Sequence, residues 1–255
     1  MTEPRILVIT PSRGRSGRLT AMLDATLSTS GPGTHVAVCT DADDPDRGGY
    51  EQLAADAREL WPGRTFWHRG PRKSLAAWTN YLAVSWPRAA RYGYLASLGD
   101  DHVPRTQGWD GVLTGAIEAM GGTGIAYGDD GWQHENMPTA WVMSAGIVRV
   151  LGWLFLPGLG HGYFGDNAIR DLGELAGCLR YCPGVKIIHE HPDAGKAPGD
   201  VTYAEAVPSW AGDEQAYLAW GRSPGDDMPS QRDLDVIAVR NVMRLRARTV
   251  PGVPA

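Results

Sequence analysis

The chain has 255 residues, 43% of them hydrophobic and 21% charged. That is an ordinary globular mixture, which excludes a disordered chain and suits one α/β domain with a small appendage. A formal net charge of −5 removes general attraction to nucleic acid or an anionic membrane, although local positive charge remains possible. Cys39, Cys178 and Cys182 are too few for a disulfide framework and have no partner at zinc spacing, so they read as buried small hydrophobes in a reducing compartment. No basic-then-apolar leader opens the sequence. The longest apolar stretch, Ala140 to Gly160, is interrupted by Arg149 and Pro157. The expectation is a cytoplasmic protein without a membrane span.

Along the chain, short apolar runs alternate with helical patterns, the mark of βαβ units and a mainly parallel sheet. Arg5 to Thr10 reads as a buried strand, followed by a Pro11 to Arg15 loop and a helix with Leu19, Met22, Leu23 and Leu27 on one face. His35 to Thr40 is a second strand ending in the acidic loop Asp41 to Asp46, and Tyr50 to Leu60 is a helix. Arg64 to His68 is a third strand, Lys73 to Trp86 a helix, and Tyr92 to Leu98 a fourth strand that runs into Gly99-Asp-Asp-His102. A helix spans Trp109 to Met120 and a strand Gly124 to Tyr127; from there to Gly165 no clean period is present. Asp166 to Ala176 is helical, Val185 to His189 is a strand ending in His-Glu-His-Pro, and Gln231 to Arg248 is a basic amphipathic helix.

In parallel α/β sheets, ligands bind beyond the carboxyl ends of the strands. The polar loops at Thr10 to Arg13, Asp41 to Asp44 and Gly99 to His102 therefore converge on one cleft if the sheet is assigned correctly. Adjacent Asp100 and Asp101 repel each other unless a positive partner is present. They form either a solvated turn or, coming straight off a buried strand, a site for a hard divalent cation such as Mn2+ or Mg2+. His189 and His191 alternate, so one of them at most faces the cleft; either can join a metal or simply pack. Arg13, Arg15, Arg69, Arg72 and Lys73 supply positive charge suited to phosphate. Asp41 and Asp43 either accept from ribose or base groups or cap a turn. Asp129 and Asp130, beside Trp132, either grip hydroxyls of a sugar or acceptor or form a plain turn. Asp166 stands where an N-cap belongs, behind an aromatic- and glycine-rich stretch.

The run Leu-Val-Ile-Thr-Pro-Ser-Arg (7–13), then Cys-Thr-Asp-Ala-Asp-Asp (39–44), then Leu-Gly-Asp-Asp-His (98–102) resembles the nucleotide-binding half of family-2-like GT-A glycosyltransferases. Leu98 to His102 looks like their DXD element with Gly99 in place of the first acid, and the Lys73 to Leu82 segment with Asn80 looks like the one that follows their third strand. Tyr163-Phe-Gly-Asp166 resembles the element that holds the catalytic base of inverting members. Ile188-His-Glu-His-Pro192 resembles the histidine-bearing strand that completes the metal site. The sequence is also similar to compact glycosyltransferases of actinobacterial phages, which would place it in a host cytoplasm.

The resemblance covers roughly residues 5–203 and implies a GT-A (Rossmann-like) α/β fold. Residues 1–203 would form the transferase domain, with a nucleotide-sugar half to about 103 and an acceptor half from about 104. Residues 204–255 would be a C-terminal helical extension. It further implies Thr10, Pro11, Arg13, Asp41, Arg69, Lys73, Asn80 and Asp100 for a UDP- or GDP-linked sugar donor. Asp101 and His191 would hold the metal, and Asp166 would be the base. Asp129, Asp130 and Trp132 would meet the acceptor, which is a protein, a glycan or a modified nucleobase. The competing expectations are a nucleotidyltransferase acting on sugar phosphates and a non-catalytic carbohydrate-binding module on the same fold.

Overall fold

The computed structural model describes residues 6–196, 198–199, 201–225 and 228–249. Arg5, expected at the start of the first strand, lies outside them. In chain order the elements are β1 (Ile6–Pro11), α1 (Ser16–Thr29), β2 (Thr34–Asp41), α2 (Arg47–Leu60), β3 (Thr65–Gly70), α3 (Leu75–Asn80), β4 (Tyr94–Ser97) and β5 (His102–Pro104). They continue with α4 (Trp109–Ala119), β6 (Ile125–Asp129), β7 (Trp141–Ser144), α5 (Ala145–Leu151), α6 (Gly165–Ala176), β8 (Leu179–His189), α7 (Val201–Ala206), α8 (Trp210–Gly221) and α9 (Gln231–Thr249).

One eight-stranded sheet runs β3-β2-β1-β4-β7-β6-β8-β5. β3, β2, β1 and β4 are mutually parallel, as the alternating pattern implies, with helical crossovers between them. Beyond β4 the sheet is mixed: β7 is antiparallel to β4 and to β6, β8 is parallel to β6, and β5 is antiparallel to β8.

Side-chain alternation along β1 builds the two halves of the core. Ile6 and Val8 face α1 and α4, packing with Leu19, Met22, Leu23, Trp109, Leu113 and Ile117. Leu7 and Ile9 face the other way, into the cluster with Trp78, Leu82, Ile147, Ile169 and Leu172. A strand covered on both faces has to be apolar throughout, which is why β1 reads as an unbroken run.

Four differences from the sequence pattern have local causes. The helix expected over Lys73 to Trp86 is regular only in α3. It then widens to a π-turn at Tyr81–Ser85 and stops before Pro87, which cannot continue it. β7 and α5 lie in the stretch without a clean period, because a fully buried four-residue strand shows no alternation. β5 is three residues long, too short to register as a pattern. β8 begins at Leu179, before the expected Val185, and a register shift against β6 at Gly128/Asp129 accommodates Pro183 and Gly184.

The C-terminal helices are not peripheral. Trp220 of α8 and Val236 and Val239 of α9 are buried in the same core cluster as α5 and α6. Asp213 of α8 is 2% exposed, and its carboxylate accepts from the backbone N–H of Gly160 and of Gly162, fixing the loop that leads into α6. Asp213→Ala would leave both amides unpaired. It should cost about 2–4 kcal/mol, read as a drop in denaturation midpoint with an unchanged urea m-value.

Candidate functional site

The parallel register of β1, β2 and β4 brings their carboxyl ends side by side. Asp100 and Asp101, 6% and 8% exposed, sit just beyond β4. Asp100 accepts from Ser12 Oγ at 2.6 Å and from Arg15 Nη1 at 3.3 Å, both from the loop after β1. Ser12 Oγ is also 2.7 Å from the Tyr50 hydroxyl of α2. Burial, then the neighbouring Asp101 charge, raises the Asp100 pKa above its ordinary value, against the opposing pull of Arg15. Burial alone would raise Asp101 as well. The His102 and His189 imidazoles beside it outweigh this and hold Asp101 well below the usual carboxylate range.

β5 pairs with β8 so that His102 stands opposite His189, and the two rings stack with centroids 4.1 Å apart. His102 Nδ1 is 3.2 Å from Asp101 Oδ1 and 3.0 Å from the Gly99 amide. His189 Nε2 is 3.6 Å from Asp101 Oδ2. Each ring keeps a buried nitrogen, His102 Nε2 and His189 Nδ1, without a hydrogen-bond partner among the described residues. Asp101, His102 and His189 offer one ligand atom each, all within 4.8 Å of one another. One carboxylate and two imidazoles gathered in this way suit a divalent transition ion such as Mn2+. Gly99 is glycine for a steric reason. A Cβ there would lie 2.6 Å from Asp101 Oδ1 and 2.9 Å from His102 Nδ1, so an acid at that position would force these side chains to shift.

His191, expected as a metal ligand, lies two residues past His189 beyond the end of β8 and outside that three-residue group. Its ring stacks on Trp132 at 5.1 Å, and its Nδ1 accepts from the Asp193 amide. Tyr203 of α7 donates to Asp101 Oδ2, and its ring lies 4.1 Å from the Arg15 guanidinium.

The expected donor residues divide into two groups. Arg13 pairs with Asp41 at 3.2 Å and Asp43 at 2.9 Å. Asp41 also accepts from the Lys73 amide and from Trp78 Nε1, and the Lys73 ammonium lies 5.4 Å from the Trp78 ring. Thr10 is fully buried, its hydroxyl unpartnered among the described residues, and Pro11 ends β1. Arg69 instead reaches Glu51 of α2 at 2.7 Å. Asn80 is engaged by backbone: Nδ2 donates to the Phe155 carbonyl, and Oδ1 accepts from the Leu154 and Phe155 amides.

Of the residues expected to meet the acceptor, Asp129 accepts from Lys186 Nζ at 2.8 Å, the Tyr181 hydroxyl and the Gly131 amide. These bonds overcome the effect of burial and hold its pKa low. Asp130 accepts from the amides of Trp132, Gln133 and His134 and from the Thr139 hydroxyl, so it organises its own loop.

Asp166 lies in the first turn of α6, half-buried, with no hydrogen-bond donor among the described residues. Burial raises its pKa to about 7; His189 opposes this, while Asp130 and Asp101 add to it. Phe164, two residues earlier, adopts φ +65 and packs on Trp210 at 4.9 Å and Tyr217 at 5.5 Å. A left-handed aromatic at the mouth of a helix is strained, and such strain persists only where packing enforces it.

No protein-family model matches the sequence, and no curated protein matches it significantly. Solved structures do match. A mannosyltransferase from Pyrobaculum calidifontis in complex with GDP-Man and Mn2+ superposes with a TM-score of 0.56 at 11% identity, over 99% of this chain and 76% of that one. S. aureus TarS in complex with UDP-GlcNAc gives 0.53 at 12%, over 97% and 82%. GalNAc-T7 with UDP, GalNAc and Mn2+ gives 0.59 at 12%, over 95% and 54%. At these identities the likeness is one of fold. This chain has the GT-A fold, a mixed sheet flanked by helices, which those nucleotide-sugar proteins share. No described helix is long and apolar enough to cross a membrane.

The Asp166 shift has a consequence for stability. A folded-state pKa near 7, above the ordinary 3.8, means that the neutral acid favours the fold. That contribution is complete below about pH 3.8 and is lost as pH rises through 7. Asp166→Asn, neutral throughout, should melt above the parent protein at pH 8 and level with it below pH 4, as read by calorimetry across pH.

Proposed function

We propose that the protein is a metal-dependent glycosyltransferase, a hexosyltransferase acting in the cytoplasm that moves a sugar from a nucleoside-diphosphate donor to an acceptor hydroxyl with inversion. The observation that carries this is the cation-competent group Asp101, His102 and His189 within electrostatic range of Asp166, a half-buried carboxyl with a pKa near 7. Proteins of the same fold that hold GDP-Man with Mn2+, UDP-GlcNAc, or UDP and GalNAc with Mn2+ support it.

In this reading Asp101, His102 and His189, with His191 beside them, hold Mn2+ or Mg2+. The bound ion supplies Lewis-acid neutralisation of the charge that gathers on the departing diphosphate. Asp100 anchors Arg15 next to that charge. Asp41, Arg13 and Lys73, with Thr10 and Pro11 at the end of β1, take the nucleoside and phosphates. Arg69 and Asn80 border that side. Asp166 accepts the proton of the acceptor hydroxyl as its oxygen attacks the anomeric carbon from the face opposite the leaving group. The bond to the diphosphate breaks with its electron pair leaving on that group, so the anomeric centre inverts. A base with a pKa near 7 is matched to this task at neutral pH. Asp129, Asp130 and Trp132 form the acceptor wall, and the hydroxyl belongs to a protein, a glycan or a modified nucleobase. Residues 1–203 are the transferase unit and 204–255 its extension, whose described helices α8 and α9 pack into the same core; residues 226–227 and 250–255 lie outside the described residues.

Thermal shift against UDP- and GDP-linked ligands tests the donor site. Stabilisation by one nucleotide with Mn2+, abolished by EDTA and by Asp101→Ala, is expected. No shift with any nucleotide would remove the proposal. Kinetics test the base separately. Asp166→Asn should lower kcat by about 10²- to 10⁴-fold with donor Kd unchanged, and near-normal turnover would exclude Asp166 from that role.

A further inference from the structure

The six-residue helix α7 touches the loops that follow three parallel strands at once. Glu205 Oε2 lies 3.0 Å from Arg72 Nη2, just beyond β3, and 3.9 Å from Arg13 Nε, just beyond β1. The Thr202 hydroxyl donates to the Arg13 carbonyl at 3.0 Å. The Tyr203 hydroxyl donates to Asp101 beyond β4, with Arg15 at 4.1 Å and Arg18 at 5.6 Å from its ring. No described α7 residue belongs to either apolar core cluster, so polar contacts are what hold this helix over the strand ends.

Two of those contacts use groups the proposed donor site relies on, the Arg13 guanidinium and an oxygen of Asp101. Arg13 already faces Asp41 and Asp43, and Glu205 adds a third carboxylate. A diphosphate at Arg13 and Arg72 would meet the Glu205 carboxylate as a like charge at close range, which disfavours both being there at once. The Glu205–Arg72 pair is 40% and 51% exposed. Pairs so open to water are worth little, whereas a phosphate offers arginine stronger, bidentate bonds.

We propose that α7 is a latch displaced by the donor, in which Glu205 holds the place of a donor phosphate between Arg13 and Arg72 and Tyr203 occupies an oxygen of Asp101. This rests on the donor reading above. It adds Arg72 to the groups that meet the diphosphate, and it makes residues 201–206 the segment that moves when the donor and its cation bind.

Calorimetric titration of the full chain with UDP and with GDP in Mn2+ tests it, together with hydrogen exchange over residues 201–206. The expected result is that Glu205→Gln binds the preferred diphosphate roughly two- to fivefold more tightly than the parent, the scale of one exposed ion pair. Arg72→Ala should bind more weakly, and deuterium uptake over 201–206 should rise on binding. Binding by Glu205→Gln alone, with none by the parent, would also support the latch. Parent binding with Glu205→Gln no tighter, or with uptake over 201–206 unchanged or reduced, would overturn it. Failure of both proteins to bind either diphosphate would instead overturn the donor reading on which the latch depends.

Discussion

Asp100 and Asp101 stand side by side almost out of contact with water, where two carboxylates repel each other and neither is fully hydrated. Much of the polar structure around them compensates for this. Ser12 and Arg15 hold Asp100, while His102, His189 and Tyr203 hold Asp101. These partners come from the loop after β1 and from β5, β8 and α7, so one local electrostatic problem ties together the start, middle and end of the chain. A cluster this demanding is costly as mere scaffolding. In the proposed function, a bound cation would offset the charge of the two carboxylates.

The sheet decides how that convergence is achieved. The parallel half sets Ser12, Asp41 and Asp100 at adjacent strand ends and leaves their loops free to differ. The mixed half does something the parallel half cannot. By running β5 antiparallel to β8 it places His102 against His189 and brings both beside Asp101. The loop into α6 is set from the opposite side by Asp213 and by the Phe164, Trp210 and Tyr217 rings, so the C-terminal helices support the segment that carries Asp166. Strain at Phe164 and the raised pKa of Asp166 occur within two residues of each other.

The parallel half was legible from local signals. Unbroken apolar runs marked β1, β2 and β4, and helical periods marked α1, α2, α4 and α6, because each of these elements buries enough surface to leave a period. The same signals failed at β7, buried on both sides within four residues, and at β5, only three residues long. They also failed within Lys73 to Trp86, where the spacing is helical but the backbone widens before Pro87. At the site, the adjacent acids after β4 and the alternating histidines after β8 could be singled out by type and position. His102 was within the same short motif yet drew no assignment, since nothing local indicates that its ring will stack on one from 87 positions later. Tyr203 carried no signal at all.

The amino-acid sequence by itself therefore determined the fold class, the order of the early strands and helices, and the loops in which charged chemistry is concentrated. All of these follow from composition and from periods of two or 3.6 residues. Only the tertiary structure decided which histidine meets Asp101, that Asn80 is bonded to the backbone of 154–155, that Asp130 braces its own loop, and that α7 lies across the strand ends. These depend on strand register and on contacts between residues far apart in the chain. A shift of one residue in β8 would turn His189 to the other face of the sheet while leaving every local pattern in the sequence unchanged.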